Sequence, residues 1–289
     1  MQLLVGSTGG VLSQAGETAL AGRAVGPLAA RDDEVWAIVD GRDVWRGPDP
    51  WQPQASWDGP RLTCLVPLDD GAVLVGTAEA HLLCLDGTGF RPVASFDEWP
   101  PRDAWYTPWG GPPDTRSLAT AAGEPLVNIH VGGVARQRGG EWQPLVDIDV
   151  DVHQISAGPD GSLLVATGAA GFGSSTDGGS TWLWDTDGLH GSYCRALAVA
   201  GDYVLLTAST GPGRTRGAVY RRALGDAGPW KRTGPLVDGN IDTFWLAAAG
   251  DAAAFAAADG TVWVSADAGA TWTEEVRAPG TPLGLAYVA

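Results

Sequence analysis

The chain has 289 residues, 18 basic side chains against 34 acidic ones, and a formal net charge of −16. With Lys231 as its single lysine it is no candidate for nucleic-acid binding, which needs clustered cations to neutralise phosphate. Glycine (42) and proline (20) at this density argue against a helical protein, and 44% hydrophobic content argues against a disordered acidic tail.

In chain order, Met1-Gln2-Leu3-Leu4-Val5 lacks the basic segment, long apolar run and small-residue cleavage site of a signal peptide, so none is expected. No stretch approaches the roughly 18 continuous apolar residues of a membrane span. Cys64, Cys84 and Cys194 are odd in number and unrelated in spacing. They read as small buried apolar residues in a reducing cytoplasm rather than as a disulfide framework or a zinc pattern.

A repeat organises the sequence. Aromatics that follow a turn recur at Trp51, Phe90, Trp142, Trp182, Trp230 and Trp272, spaced by 39, 52, 40, 48 and 42 residues. A four-stranded propeller blade occupies roughly 40–50 residues. Within the units, short apolar runs are separated by Asp/Gly turns. Cys64–Leu68 turns at Asp69-Asp70-Gly71 into Ala72–Thr77, and Ile155–Ala157 turns at Pro159-Asp160-Gly161 into Ser162–Thr167. Leu197–Val199 likewise turns at Gly201-Asp202 into Tyr203–Thr207. These are hairpin signals, and helical periodicity is absent. The expected architecture is all-β, a seven-bladed β-propeller of four-stranded antiparallel blades in a single domain. The blades fall at residues 2–25 with 281–289, 26–58, 59–101, 102–149, 150–189, 190–237 and 238–280. The first is incomplete by itself, so the C-terminal strand is expected to pair with the N-terminal strands and close the ring, removing exposed sheet edges.

Two turns carry a more specific pattern. Ser175-Thr176-Asp177-Gly178-Gly179-Ser180-Thr181-Trp182 and Ser265-Ala266-Asp267-Ala268-Gly269-Ala270-Thr271-Trp272 both read S-x-D-x-G-x-T-W. This resembles the Asp-box of BNR-type, sialidase-like propellers. Asp177 and Asp267 can accept hydrogen bonds from the turn's own N–H groups, and the Trp can bury against the neighbouring sheet. In the families it resembles, the box lies on the outer edge away from the ligand face, which implies a structural role for both aspartates. Sialidase activity is not expected. The chain has no Arg-Ile-Pro element, its blade count differs, and none of its glutamates sits beside a tyrosine.

In a propeller, the loops entering each inner strand and those joining the second and third strands share one face around the central channel. Aligning blades four, five and six on Leu118, Ile155 and Leu197 places Arg116, His153 and Arg195 at corresponding positions on that face. His130, His190, Tyr193, Arg214, Arg216, Asn240, Asp114 and Asp242 are expected there too. So are Trp105 and Trp109, from the longest irregular stretch. Arginines can fork onto a carboxylate or phosphate, and tryptophans can stack on a ring or sugar. Asp147, Asp149, Asp151 and His153 alternate, which suits either a solvated strand edge, the preferred reading, or a hard-cation site.

Three functions fit this face. The first is capture of a small anionic or ring-bearing ligand or a glycan by Arg116, Arg195, His130, Tyr193, Trp105, Trp109, Asn240, Arg214 and Arg216. The second is a hydrolase or lyase using His153 or His190 with Asp114 or Asp242 as acid–base groups. The third is a protein-docking scaffold resembling the propeller assembly factors of photosynthetic membranes. No cofactor is expected, the alternative being a divalent metal held by His130, His153 and His190, since neutral imidazoles suit such ions.

Overall fold

The computed structural model describes residues 1–87, 89–107, 110–213 and 215–289. Short apolar β-runs joined by tight turns form seven antiparallel sheets, the blades of a propeller. Blade one is completed as expected. Its inner strand is C-terminal, Pro282–Val288, and pairs with Gln2–Ser7, which continues to Gly10–Ser13 and Thr18–Ala19. Gln2 lies opposite Val288 and Leu4 opposite Ala286. The inner strands of blades two to seven are Val25–Arg31, Leu62–Pro67, Thr115–Ala121, Val152–Ala157, Leu197–Ala200 and Leu246–Ala249.

Two local departures stand out. Blade six gains a fifth short strand, Val237–Asp238, paired with the start of Arg216–Ala223. Between blades three and four the chain forms a single helical turn, Ala94–Asp97, and a 3₁₀ segment, Pro100–Ala104, started by the Pro100-Pro101 pair. Proline is suited to a first helical position because its missing N–H would have no partner there.

Apolar residues fill the gaps between neighbouring blades. Leu126, Val134, Ile155 and Leu163 bridge blades four and five, for example, and Leu164, Phe172, Leu206 and Tyr220 bridge blades five and six. Both faces of each sheet are therefore covered, which explains why the second strands, such as Leu163–Thr167, are buried throughout instead of alternating. Cys64 and Cys194 are buried within the seams, and burial pushes the Cys64 thiol up to about 12.

The two Ser-x-Asp turns share one geometry. Asp177 Oδ1 accepts from Thr181 N–H (2.9 Å) and the Ser175 hydroxyl (2.8 Å), while Oδ2 accepts from the Thr181 hydroxyl (2.6 Å). Asp267 repeats the pattern with Thr271 (2.9 and 2.6 Å) and Ser265 (2.7 Å). Hydrogen bonding, led by that of the threonine hydroxyl, pulls both carboxyls down to about 2. Trp182 then fastens the turn to blade four, its indole N–H donating to Leu145 O at 2.9 Å.

Candidate functional site

The inner strands do not enter the channel as regular ladders. In blade four the register steps from Thr115 opposite Ile129 to Ser117 opposite Asn128, leaving Arg116 unpaired as a β-bulge. Blade five repeats the step around His153, and blade three around Thr63. A bulge re-aims a side chain out of the pleat. Here each bulge residue reaches the next blade. The Thr63 hydroxyl donates to Thr115 O, Arg116 Nη1 approaches Asp151 Oδ1 at 3.4 Å, and His153 Nδ1 donates to Cys194 O at 2.7 Å. Arg195, ahead of the inner strand of blade six, continues the series by pairing with Asp242 of blade seven at 2.6 Å.

Asp151 is the hub of the resulting cluster. Its Oδ2 lies 3.0 Å from His153 Nε2, and its Oδ1 lies 3.4 Å from Arg116 and 3.7 Å from His130 Nε2. Burial alone would raise this carboxyl, but the His153 contact and the Arg116 charge outweigh it and hold the group low. Gly168 makes the cluster feasible: a β-carbon there would stand 2.2 Å from Asp151 Oδ2 and 3.2 Å from His153 Nε2. Gly168 carries no mark in the sequence, and Asp151 is marked only through its alternation with Asp147 and Asp149, as a solvated edge or a hard-cation site. The alternation of Asp147, Asp149 and Asp151 is broken because residues 147–150 form a turn, with Val150 N–H bonded to Asp147 O. That turn sends Asp151 inward and leaves Asp147 in a local bond to Asp149 N–H at 3.0 Å.

His130 is mostly buried; desolvation first, then the Arg116 charge, push its imidazole down to about 4, so it is neutral at pH 7. Burial likewise lowers His153, opposed by Asp151. Burial and the nearby charge of Arg195 lower Arg116. The Arg195 guanidinium lies 5.2 Å over the Tyr193 ring and donates from Nη2 to the Tyr193 hydroxyl at 3.1 Å, while its buried Nε has no acceptor. Tyr193 in turn meets the edge of His153 at 4.9 Å. Asn240 accepts from the Ser209 hydroxyl and donates to Pro212 O at 3.0 Å. The hollow bounded by Tyr193, Arg195, Ser209 and Asn240 is too tight to admit a water molecule. Small-molecule pockets measure roughly 300 Å³ upward, so this hollow does not engulf one.

Other candidates lie elsewhere. His190 donates from Nε2 to Arg216 O (2.9 Å), accepts at Nδ1 from the Tyr220 hydroxyl (2.6 Å) and stacks on that ring, apart from the His130–Asp151–His153 cluster. Arg216 itself approaches Asp238 at 3.5 Å in an exposed pair. Asp114 borders the cluster instead, its main-chain carbonyl accepting from His130 N–H at 2.9 Å; its carboxyl faces Arg61 at 3.4 Å and is raised by burial, against the Arg61 and Arg116 charges. Trp105 packs against Phe96 (5.7 Å) and Trp99 (6.1 Å) beneath the Arg102 guanidinium. Trp109 and Arg214 lie outside the described residues. Among the described residues, no group of three His, Cys, Asp or Glu side chains is placed to hold a metal ion, and the three histidines do not come together.

No family model matches the chain, and no curated protein matches it. Solved structures do, at the level of fold. YCF48 bound to D1 peptide is 16% identical, with 87% of this chain and 82% of that one covered and a TM-score of 0.59. Virginiamycin B lyase from Staphylococcus aureus is 12% identical over 91% of this chain and 86% of that one, with a TM-score of 0.60. U3-55K, also 12% identical, covers 91% of this chain and 85% of that one with a TM-score of 0.66. YCF48 and the lyase are seven-bladed propellers, as this chain is.

Proposed function

We propose that this protein is a binding propeller that takes an anionic group on the channel face of blades four to six, carried by an acidic peptide segment, without turnover. The observation that carries the reading is the placement of Arg116 and Arg195. Two guanidiniums stand close enough for one to depress the other, each anchored by a single carboxylate and each with N–H donors to spare. A carboxylate arriving between them would relieve that repulsion and accept charge-assisted hydrogen bonds. A tight hollow beside Arg195 suits a side-chain carboxylate presented at its mouth by a chain better than an engulfed small molecule or glycan. The solved structure of YCF48 bound to D1 peptide supports a peptide-binding use of this fold.

The hydrolase or lyase alternative has less support. His153 has 1% side-chain exposure, and both its ring nitrogens are committed to Cys194 and Asp151. His190 is similarly engaged by Tyr220 and Arg216. The two S-x-D-x-G-x-T-W turns support grouping the chain with Asp-box propellers, their aspartates being occupied by their own turns.

Calorimetric titration with acidic peptides, carboxylates, phosphates and sugars tests the reading. An acidic peptide should bind, and Arg116→Gln or Arg195→Gln should weaken it by roughly tenfold or more, the scale of a charge-assisted pair. Absence of anion binding, binding unaffected by both substitutions, or consumption of the ligand would overturn it.

A further inference from the structure

The alignment that sets Arg116, His153 and Arg195 two residues before Leu118, Ile155 and Leu197 extends to blade seven, where Phe244 stands two residues before Leu246. Phe244 departs from the others in backbone and in reach. Its φ is +68°, and it is the one aromatic residue at positive φ among those described. A bulky side chain in that region is strained, and such strain persists where surrounding contacts hold it. Here Thr243 N–H donates to Asp242 Oδ1 at 2.8 Å and Trp245 N–H to Asp242 O at 3.0 Å, while Phe244 O accepts from Leu285 N–H at 2.9 Å. The side chain packs against the apolar cluster between blades three and four, which holds Cys64 and Leu118. Two blades separate blade seven from that cluster on either side, so the ring lies across the central channel.

That ring belongs to the same mouth as the arginines. The Thr243 hydroxyl donates to Arg195 O at 3.1 Å, and Asp242 both anchors the Arg195 guanidinium at 2.6 Å and holds the turn that presents Phe244. On the far side, Leu118 of the cluster follows Arg116 by two residues. Phe244 is half-buried, which leaves part of its ring in the channel beside these side chains. Leu283, also half-buried, holds the corresponding place in blade one, two residues before Leu285. The mouth is thus divided: blades four to six supply Arg116, His153 and Arg195, and blades seven and one supply Phe244 and Leu283.

We infer that Phe244 is the specificity-determining residue of the channel site, an apolar subsite that seats a bulky aromatic or aliphatic side chain of an acidic peptide while the carboxylate of that peptide lies between Arg116 and Arg195. This subsite rests on the proposed anion-binding reading and supplies the second half of the ligand. Side chains two residues apart on an extended segment point the same way, so the apolar residue stands two positions from the acidic one. A purely acidic segment would leave the ring facing water or bare charge. An apolar side chain covers it and keeps the carboxylate off the electron-rich ring face.

The probe is an end-capped pentapeptide with glutamate at its centre, phenylalanine at both ends and serine between. Its control carries serine at both ends instead. NMR titration of the full chain reads the weak affinities of such short peptides. The wild type should bind the phenylalanine peptide roughly tenfold or more tightly than the serine peptide. Phe244→Gly removes the ring and suits the backbone at φ +68°, which favours the folded state. It should bind both peptides equally, at the wild-type affinity for the serine peptide. Phe244→Leu keeps apolar bulk in the channel and should retain a preference of roughly threefold or more. Arg195→Gln should weaken both peptides. Equal affinity of the wild type for the two peptides, or an unchanged preference in Phe244→Gly, would overturn the inference, while loss of binding in Arg195→Gln would still support the anion reading. Binding of neither peptide would overturn both.

Discussion

Replacing His130 with asparagine should make the protein more resistant to mild acid. The wild-type imidazole faces Asp151, Arg116, His153 and Arg195 and is pushed down to about 4 by burial and by the Arg116 charge. Unfolding returns it to about 6.5, so the unfolded chain takes up a proton in a window where the folded chain does not. Stability is then lost as pH falls from about 6.5 toward 4. With those two values the loss at pH 4.5 is about 2.5 kcal/mol, against about 0.2 kcal/mol at pH 7. The side chain is 16% exposed, so solvent screening reduces this only modestly. Urea denaturation of wild type and His130→Asn at pH 7 and pH 4.5 measures the effect directly. The difference between the two proteins should shift by about 2 kcal/mol in favour of the variant on acidification. His153 and Asp151 titrate in both proteins, so their contributions cancel in that difference to first order. Parallel stability curves, or a shift favouring the wild type, would refute the assignment of a neutral, desolvated His130.

Phe255 has 0% exposure and meets Trp272 edge-on at 4.9 Å and Trp263 in a stack at 6.2 Å. Phe255→Ala should destabilise the chain by about 3–5 kcal/mol, read as a lowered urea midpoint with an unchanged slope. The carboxyls of Asp177 and Asp267 should titrate near pH 2 in carbon-detected NMR of the folded protein. Because both are depressed, their contribution holds above the unfolded value and fades as pH falls toward 2. Midpoints near the ordinary carboxylate range would show that the threonine bonds do not form in solution.

The architecture was legible because it is written in repeated chemistry. Asp-Gly turns between short apolar runs set the hairpins, and the unpaired strand after Thr281 announced its place beside Gln2–Ser7. Placing Arg116, His153 and Arg195 at one height followed from aligning inner strands. What alignment could not supply was the bulge at each position, because a bulge is a two-against-one mismatch between strands and leaves no periodic mark. The inward direction of Asp151 was hidden for a related reason: alternation with Asp147 and Asp149 predicts an extended edge, yet a turn at residues 147–150 inverts its direction. Gly168 was hidden among 42 glycines, since only the approach of Asp151 gives it meaning. The helical segment before Trp105 was missed because a four-residue turn held by packing carries no periodic signal.

The hand-to-hand reach of Thr63, Arg116, His153 and Arg195 into the following blade has an evolutionary side. Each of these residues stands outside the backbone ladder; His153 is buried and bonded at both ring nitrogens, whereas Arg116 and Arg195 are partly exposed, so exchanging an arginine alters the lip of the channel without disturbing a sheet. A protein built this way can revise what its mouth recognises one wedge at a time, keeping its scaffold intact while its partners change.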